Sequence, residues 1–236
     1  MQSTKPFTFV LGPEQDCEYL SNKSARSIFL GPNAPINDQI YSKLAGHGFR
    51  RSGSYVYRPH CNQCQACIPL RIPVQDFSPS KNQRKTIKRN SDLTVVSRAA
   101  AFDPTHFQLY SHYLKSRHPG GSMTESSAED YLNFLKSPWG KSRFFEFKLE
   151  NRIVAVAVVD YLNDGLSAVY TFFDPELASR SLGKYAILWQ IEHTKSLKLS
   201  WLYLGYWIKS CKKMAYKNQY KPVQAYINGE WNLMDG

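Results

Sequence analysis

The sequence predicts an α+β fold: a regular C-terminal part over residues 101–236, behind a smaller, turn-rich part over residues 1–100 that holds four of the five cysteines. Three observations predict it. Two helix-length segments are followed by three apolar runs joined at Glu150-Asn151 and Asn163-Asp164-Gly165, both good hairpin turns. A glycine-containing turn then opens a longer segment with an apolar face, and a last apolar run follows. Residues before 100 are instead punctuated by Gly12-Pro13, Gly31-Pro32, Gly46, Gly48, Gly53, Pro59, Pro69, Pro73 and Pro79.

In the first part, residues 54–58 (SYVYR) and 69–74 (PLRIPV) read as short strands. Residues 80–90 (SKNQRKTIKRN) hold neither Gly nor Pro, and Ser78 or Ser80 would cap them as a helix. That helix is basic nearly all round, with Ile87 its only strong apolar residue, a pattern that packing alone stabilises poorly. Asp103-Pro104 opens a helix to about His118, and Ser126 or Ser127 caps another to about Lys136. Residues 143–149, 152–160 and 166–173 are expected as strands. The middle one contains IVAVAVV, apolar on both faces, and so belongs at the covered centre of a sheet. After Asp174-Pro175, a helix over 182–197 offers Leu182, Tyr185, Ala186, Trp189 and Ile191 to the core. Residues 201–206 (WLYLGY) form a further strand, and a short helix is expected near 209–214. Two helices, three antiparallel strands, a turn into a helix and a strand is the order of the GNAT acyltransferase fold.

The formal net charge is +11. A charge of that sign favours a polyanion, either nucleic acid or an anionic membrane surface, although a merely solvated basic surface gives the same sum. Its distribution favours RNA. Ten basic residues and two acids, Asp76 and Asp92, lie between Arg50 and Arg98. Seven lysines and no acid lie between Glu192 and Glu230, interleaved with Trp201, Tyr203, Tyr206, Trp207, Tyr216 and Tyr220. Basic groups neutralise phosphates and aromatic faces stack bases. No run reaches the ~18–20 apolar residues of a membrane span. The N-terminus lacks a basic region followed by an apolar run, so no signal peptide is expected. An odd number of cysteines then reads as cytoplasmic thiols or metal ligands.

Three groups carry candidate chemistry. Lys81, Arg84, Lys85, Lys88 and Arg89 fall at i, i+3, i+4, i+7 and i+8, one face of a helix. Like charges so placed repel, which a phosphate backbone would relieve; the plain alternative is a solvated face. Cys61, Cys64 and Cys67, with Cys17 as a fourth thiolate, have spacing that suits zinc or an iron–sulfur cluster, or are simply reduced thiols in a turn. Arg180-Ser-Leu-Gly183 resembles the pyrophosphate loop of acyl-CoA enzymes, but Tyr185 stands where a second glycine is usual, which weighs against CoA. Gly183 serves equally well for close helix–sheet packing.

Together these segments resemble the arginyl-tRNA–protein transferase family. The resemblance rests on YRPHCNQCQACIPLR (57–71), FSPSKNQRKTIKRN (77–90), SAVYTFFDP (167–175), SLGKYAIL (181–188), YLGYWI (203–208) and KMAYKNQYKP (213–222). The compact length and the CNQCQAC form are similar to the family's bacterial branch, which joins leucine to proteins beginning with Asp or Glu. The resemblance implies an aminoacyl-tRNA donor, protein acceptors with acidic N-termini, no required cofactor, and an acceptor marked for degradation. It implies that Arg84, Lys85, Lys88 and Arg89 hold the RNA. Asp174, the backbone at Gly183, and the Tyr185 or Tyr206 hydroxyl would serve the reacting centre, with a cap before Pro175 an equal role for Asp174. Arg71 and Lys217 would form the cationic acceptor pocket. Eukaryotic relatives carry paired cysteines implicated in iron–sulfur binding, and the spacing here differs. The rivals are arginyl transfer, an acyl-CoA-dependent N-acetyltransferase, and a non-catalytic metal-containing RNA-binding protein.

Overall fold

The computed structural model describes residues 7–117, 119–121 and 123–234. A four-stranded sheet joins β1 (Phe9–Leu11), β4 (Ser27–Leu30), β6 (Tyr55–Pro59) and β5 (Arg50–Ser52), with β2 (Gln15–Asp16) and β3 (Ser24–Ala25) as a separate pair. Helix α1 (Asp38–Gly46) precedes β5 and is capped by Asn37, whose side chain accepts from the Ile40 N–H. The remaining strands form one eight-stranded sheet in the order β14-β13-β7-β12-β11-β10-β9-β8. They are β7 (Ile68–Pro73), β8 (Leu93–Ala99), β9 (Lys141–Leu149), β10 (Arg152–Tyr161), β11 (Gly165–Phe173), β12 (Trp201–Trp207), β13 (Gln224–Ile227) and β14 (Glu230–Leu233). Strands β7 and β8 both precede residue 101, so the large sheet draws on both parts of the chain.

The helices are α2 (Lys81–Arg89), α3 (Pro104–Arg117), α4 (Ala128–Leu135), α5 (Leu182–Ser196) and α6 (Lys212–Ala215). The expected end of α3 at His118 lies outside the described residues. The short last helix begins later than expected, at Lys212. Strand β10 lies between β9 and β11, the covered position its apolar run requires. Its side chains alternate: Ala155, Ala157 and Val159 face the core that contains Leu182, Ala186 and Ile191 of α5. Val156 and Val158 face the opposite core, with Tyr110 and Leu114 of α3 and Tyr131 and Leu135 of α4. On that same side a third cluster joins Tyr41 and Leu44 of α1 to Tyr203 of β12, seating the N-terminal lobe on the sheet.

The lobes are pinned by a buried ion pair. Arg51 reaches Asp160 through two bonds of 2.5 and 2.7 Å, and Ser142 Oγ donates to the same carboxylate at 2.6 Å. Burying two charges is tolerable only with such complete hydrogen bonding.

Candidate functional site

Strands β11 and β12 run parallel but pair only at Gly165, Leu166 and Ser167 against Trp201, Leu202 and Tyr203. A Cβ on Gly165 would stand 2.2 Å from the Trp201 carbonyl oxygen, so this close start needs glycine. Beyond Tyr203 the register of β12 against β7 shifts, and Gly205 adopts φ +75°. The two parallel strands part there. Arg50 fills the base of the opening: its guanidinium donates to Ser167 Oγ (2.8 Å), to the Tyr203 carbonyl (3.3 Å) and to the Ala168 carbonyl. A Cβ on Gly205 would lie 3.2 Å from Arg50 Nε, so glycine leaves room for the cation. A fixed positive charge, 8% exposed, therefore floors a wedge between two strands.

Around this wedge stand groups with displaced pKa values. Lys217 is partly buried, and its Nζ donates to the Tyr206 carbonyl at 2.7 Å. Burial, then the Arg50 charge, push its pKa down to about 7, against the smaller opposing effects of Cys67 and Cys211. The Tyr206 hydroxyl lies 3.1 and 3.2 Å from the Gly48 and Tyr57 carbonyls. It ties the N-terminal lobe to β12, and burial raises its pKa well above the ordinary value. Tyr113 of α3 completes an aromatic wall, 4.9 Å from the Phe173 ring and 6.5 Å from Tyr170.

The structure separates several residues that the sequence placed together. Tyr185 packs 5.8 Å from Phe147 on the α5 side, whereas Tyr206 points to the N-terminal lobe on the other side of the sheet. Asp174 is buried, accepts the Glu176 N–H at 2.9 Å and pairs with Arg152 at 2.8 Å. Gly183 lies in the first turn of α5, where a Cβ would stand 2.9 Å from the Phe173 ring. Arg71 stacks between Trp201 (3.6 Å) and Trp231 (4.4 Å) and donates to Gln224 at 2.8 Å. It pairs in register with Tyr203, three positions along β12 from the Tyr206 carbonyl that holds Lys217.

Cys17, Cys61 and Cys64 all lie within electrostatic reach of Cys67, but no three of the four sulfurs come within 4.8 Å of one another. All four are free thiols. The Cys61 sulfur is engaged by the Arg26 backbone, and burial, then the neighbouring Cys61, Cys17 and Cys64, push the Cys67 thiol up to about 12. Among the described residues, only Asp103, His106 and Glu146 bring metal-type ligand atoms within 4.8 Å of one another. Glu146 already faces Lys148 (3.0 Å), Arg98 (3.3 Å) and His106 (2.9 Å), so this group reads as an ion-pair cluster.

The two basic runs converge. Helix α2 begins with a capping box between Ser80 and Gln83. It docks by polar side chains rather than by an apolar stripe: Gln83 donates to the Gln219 carbonyl (3.0 Å), and its C-cap Asn90 to the Arg180 carbonyl (2.9 Å). Lys81, Arg84, Lys85, Lys88 and Arg89 are left exposed on the outer face. The Gln83–Gln219 bond sets this stripe beside Lys209, Lys212 and Lys221, which line a pocket of about 660 Å³ with Trp207, Tyr216, Asn218 and Gln219. Sequence reading missed Arg50, Ser167, Tyr57, Tyr113 and Tyr170 as wedge residues. The one available signal was Gly205, an isolated glycine within an apolar strand, which marks a bulge or a close backbone approach.

Two parallel strands that part beside two neighbouring basic runs set the geometry, and comparison with known proteins gives the family. The description "Arginine-tRNA-protein transferase, C terminus" matches residues 105–227, and "Arginine-tRNA-protein transferase, N terminus" matches residues 15–85. The chain belongs to the arginine-tRNA-protein transferase family. It is 47% identical over 231 residues to an aspartate/glutamate leucyltransferase of Alcanivorax borkumensis, covering 98% of this chain and 96% of that one. Its identity to the Pseudomonas aeruginosa protein of the same name is 48%, covering 91% and 92%. With that of Marinobacter nauticus it shares 45%, covering 99% of each. Among solved structures, L-PGS from Bacillus licheniformis aligns at TM-score 0.46 and 15% identity, covering 61% of this chain and 48% of that one.

Proposed function

We propose that this protein transfers leucine from leucyl-tRNA to the α-amine of proteins beginning with Asp or Glu, marking them for degradation. The observation that carries the reading is near-full-length similarity, at 45–48% identity, to proteins named aspartate/glutamate leucyltransferase. The reading requires the cytoplasm, where charged tRNA is found.

The donor ester is already activated, so the reaction needs neither ATP nor a redox group. The acceptor α-amine has a pKa of about 7.7–8.0, so roughly a tenth or more is free base at pH 7. The protein's task is to align that amine, accept a proton and stabilise an oxyanion. Alignment is worth several kcal/mol or more, and one oxyanion donor about 2.7–4 kcal/mol. The α2 cations hold the RNA backbone, and the ester enters the wedge between β11 and β12. The first-turn N–H groups of α5, Gly183 among them, suit the oxyanion, because Ser181 provides no side-chain cap there. Lys217 keeps a donor beyond its bonds to the Tyr206 carbonyl and the Met214 sulfur, whereas Arg71 is sandwiched between two tryptophans and bonded to Gln224, so Lys217 is the better placed to meet an acidic first residue. A carboxylate beside Lys217 would raise its pKa and fix its charge.

The test is transfer of label from leucyl-tRNA and arginyl-tRNA to peptides beginning with Asp, Glu, Arg and Ala. Leucine on Asp and Glu alone is the expected result. Arginine on the same peptides would move the chain to arginyl transfer, and acetyl-CoA turnover without tRNA would overturn the reading.

A further inference from the structure

The wedge and the α2 stripe leave the 660 Å³ pocket unassigned. Three of its lining residues are Lys209, Lys212 and Lys221, and no acid occurs anywhere between Glu192 and Glu230. Tyr216, 40% exposed, brings an aromatic ring to the lining, and Asn218 and Gln219 bring amide groups that both donate and accept. Phosphate charge, a stackable ring and an edge that reads amides are the features of one kind of ligand, an unpaired nucleotide.

The pocket's position says which nucleotide. On one side, the Gln219 carbonyl holds Gln83 of α2, so the phosphate-binding stripe adjoins it. On the other side lies the wedge. Tyr216 comes within electrostatic reach of Tyr113 on the aromatic wall, which, after burial, helps push its hydroxyl up to about 12. The next residue, Lys217, turns to the Tyr206 carbonyl. The pocket therefore stands between the surface for paired RNA and the cleft for the ester.

We infer that this pocket seats the unpaired 3′ end of the charged tRNA, its terminal base stacked on Tyr216 and its phosphates met by Lys209 and Lys212. The inference rests on the aminoacyl-tRNA reading and adds a place for the nucleotide that carries the amino acid. It makes the terminal adenosine a binding determinant in its own right.

The experiment compares equilibrium binding of intact uncharged tRNA with the same tRNA lacking its 3′-terminal adenosine. Wild-type protein should prefer the intact form by roughly 5- to 150-fold, the equivalent of the ~1–3 kcal/mol of one stacked base. Tyr216→Ala should bind both forms alike, and Tyr216→Phe should keep the preference. The Lys85→Ala variant should weaken both forms equally, because a phosphate contact is blind to the terminal base. A Tyr216→Ala variant that still discriminates overturns the inference. So does one that raises KM for the peptide while leaving KM for tRNA unchanged, an outcome that would give the pocket to the acceptor. If wild-type protein binds neither RNA, the failure belongs to the aminoacyl-tRNA reading itself.

Discussion

Replacing Arg84, Lys85, Lys88 and Arg89 together by alanine should separate RNA binding from folding, because the two respond with opposite signs. All four side chains are exposed, while the residues that dock α2, Gln83, Thr86 and Asn90, are buried and untouched. The change removes three i,i+4 like-charge pairs, Lys81–Lys85, Arg84–Lys88 and Lys85–Arg89, each costing a few tenths of a kcal/mol. Alanine also has the best helix propensity. Against this stand the lost bonds from Arg84 to the Pro79 carbonyl and from Arg89 to the Ser179 carbonyl. The net expectation is a stability unchanged or raised by up to about 1 kcal/mol. RNA binding should fall steeply. Each cation paired to a duplex phosphate contributes about 0.9 to the slope of log K against log salt, so four contribute about 3.6. Through these four alone, wild-type protein should lose about 150-fold in affinity between 50 and 200 mM salt. Fluorescence titration of labelled tRNA over that salt range, with urea unfolding in parallel, reads both quantities. A variant with an unchanged salt slope would refute the assignment of α2 to the RNA backbone.

Four further outcomes follow from the same geometry. Lys217→Met should stabilise the protein by about 2–4 kcal/mol at pH 7, since a lysine whose pKa falls from 10.5 to about 7 is strained while charged. The unfolded chain binds more protons than the folded one between those two values, so this advantage should shrink as pH rises from 7 towards 10.5, as urea unfolding at several pH values will record. Asp160→Ala should cost about 3–5 kcal/mol, measured by the same unfolding, with most of it recovered in the double variant Arg51→Met, Asp160→Leu. Gly205→Ala, strained by its positive φ and crowding Arg50, should lower stability by about 1–3 kcal/mol and transfer by a larger factor than that loss of folded protein explains. Treatment with a strong chelator should leave transfer unchanged; a loss restored by zinc would return a metal to the Cys17, Cys61, Cys64 and Cys67 corner.

Periodic segments were legible in the sequence. The β10 run apolar on both faces, the serine-capped helices and the one-sided charge of α2 all follow from local spacing. Two signals were present but unread: Asn37 ahead of α1, and Asn228-Gly229, whose two positive φ angles turn the β13–β14 hairpin. What spacing could not reveal is the fate of isolated charges. Arg50 and Arg51 counted as part of a basic, polyanion-seeking run, yet both are under 9% exposed and satisfied inside the protein. Arg71 likewise stacks between two tryptophans that lie far from it in sequence. Partners that meet through sheet register, not through chain neighbours, decide these cases, and so they decide the floor of the wedge.

If the proposed reaction holds, an RNA-borne aminoacyl ester meets a free α-amine in the wedge between β11 and β12. The decisive measurement is single-turnover transfer from labelled leucyl-tRNA to an Asp-initiated peptide, beside its N-acetylated twin and beside free leucine as donor. One leucine on the amino terminus of the free peptide is expected, with none on the acetylated one and none from free leucine. Label on the blocked peptide, or no label from leucyl-tRNA at low salt, would rule out amine attack on an RNA-borne ester in this cleft.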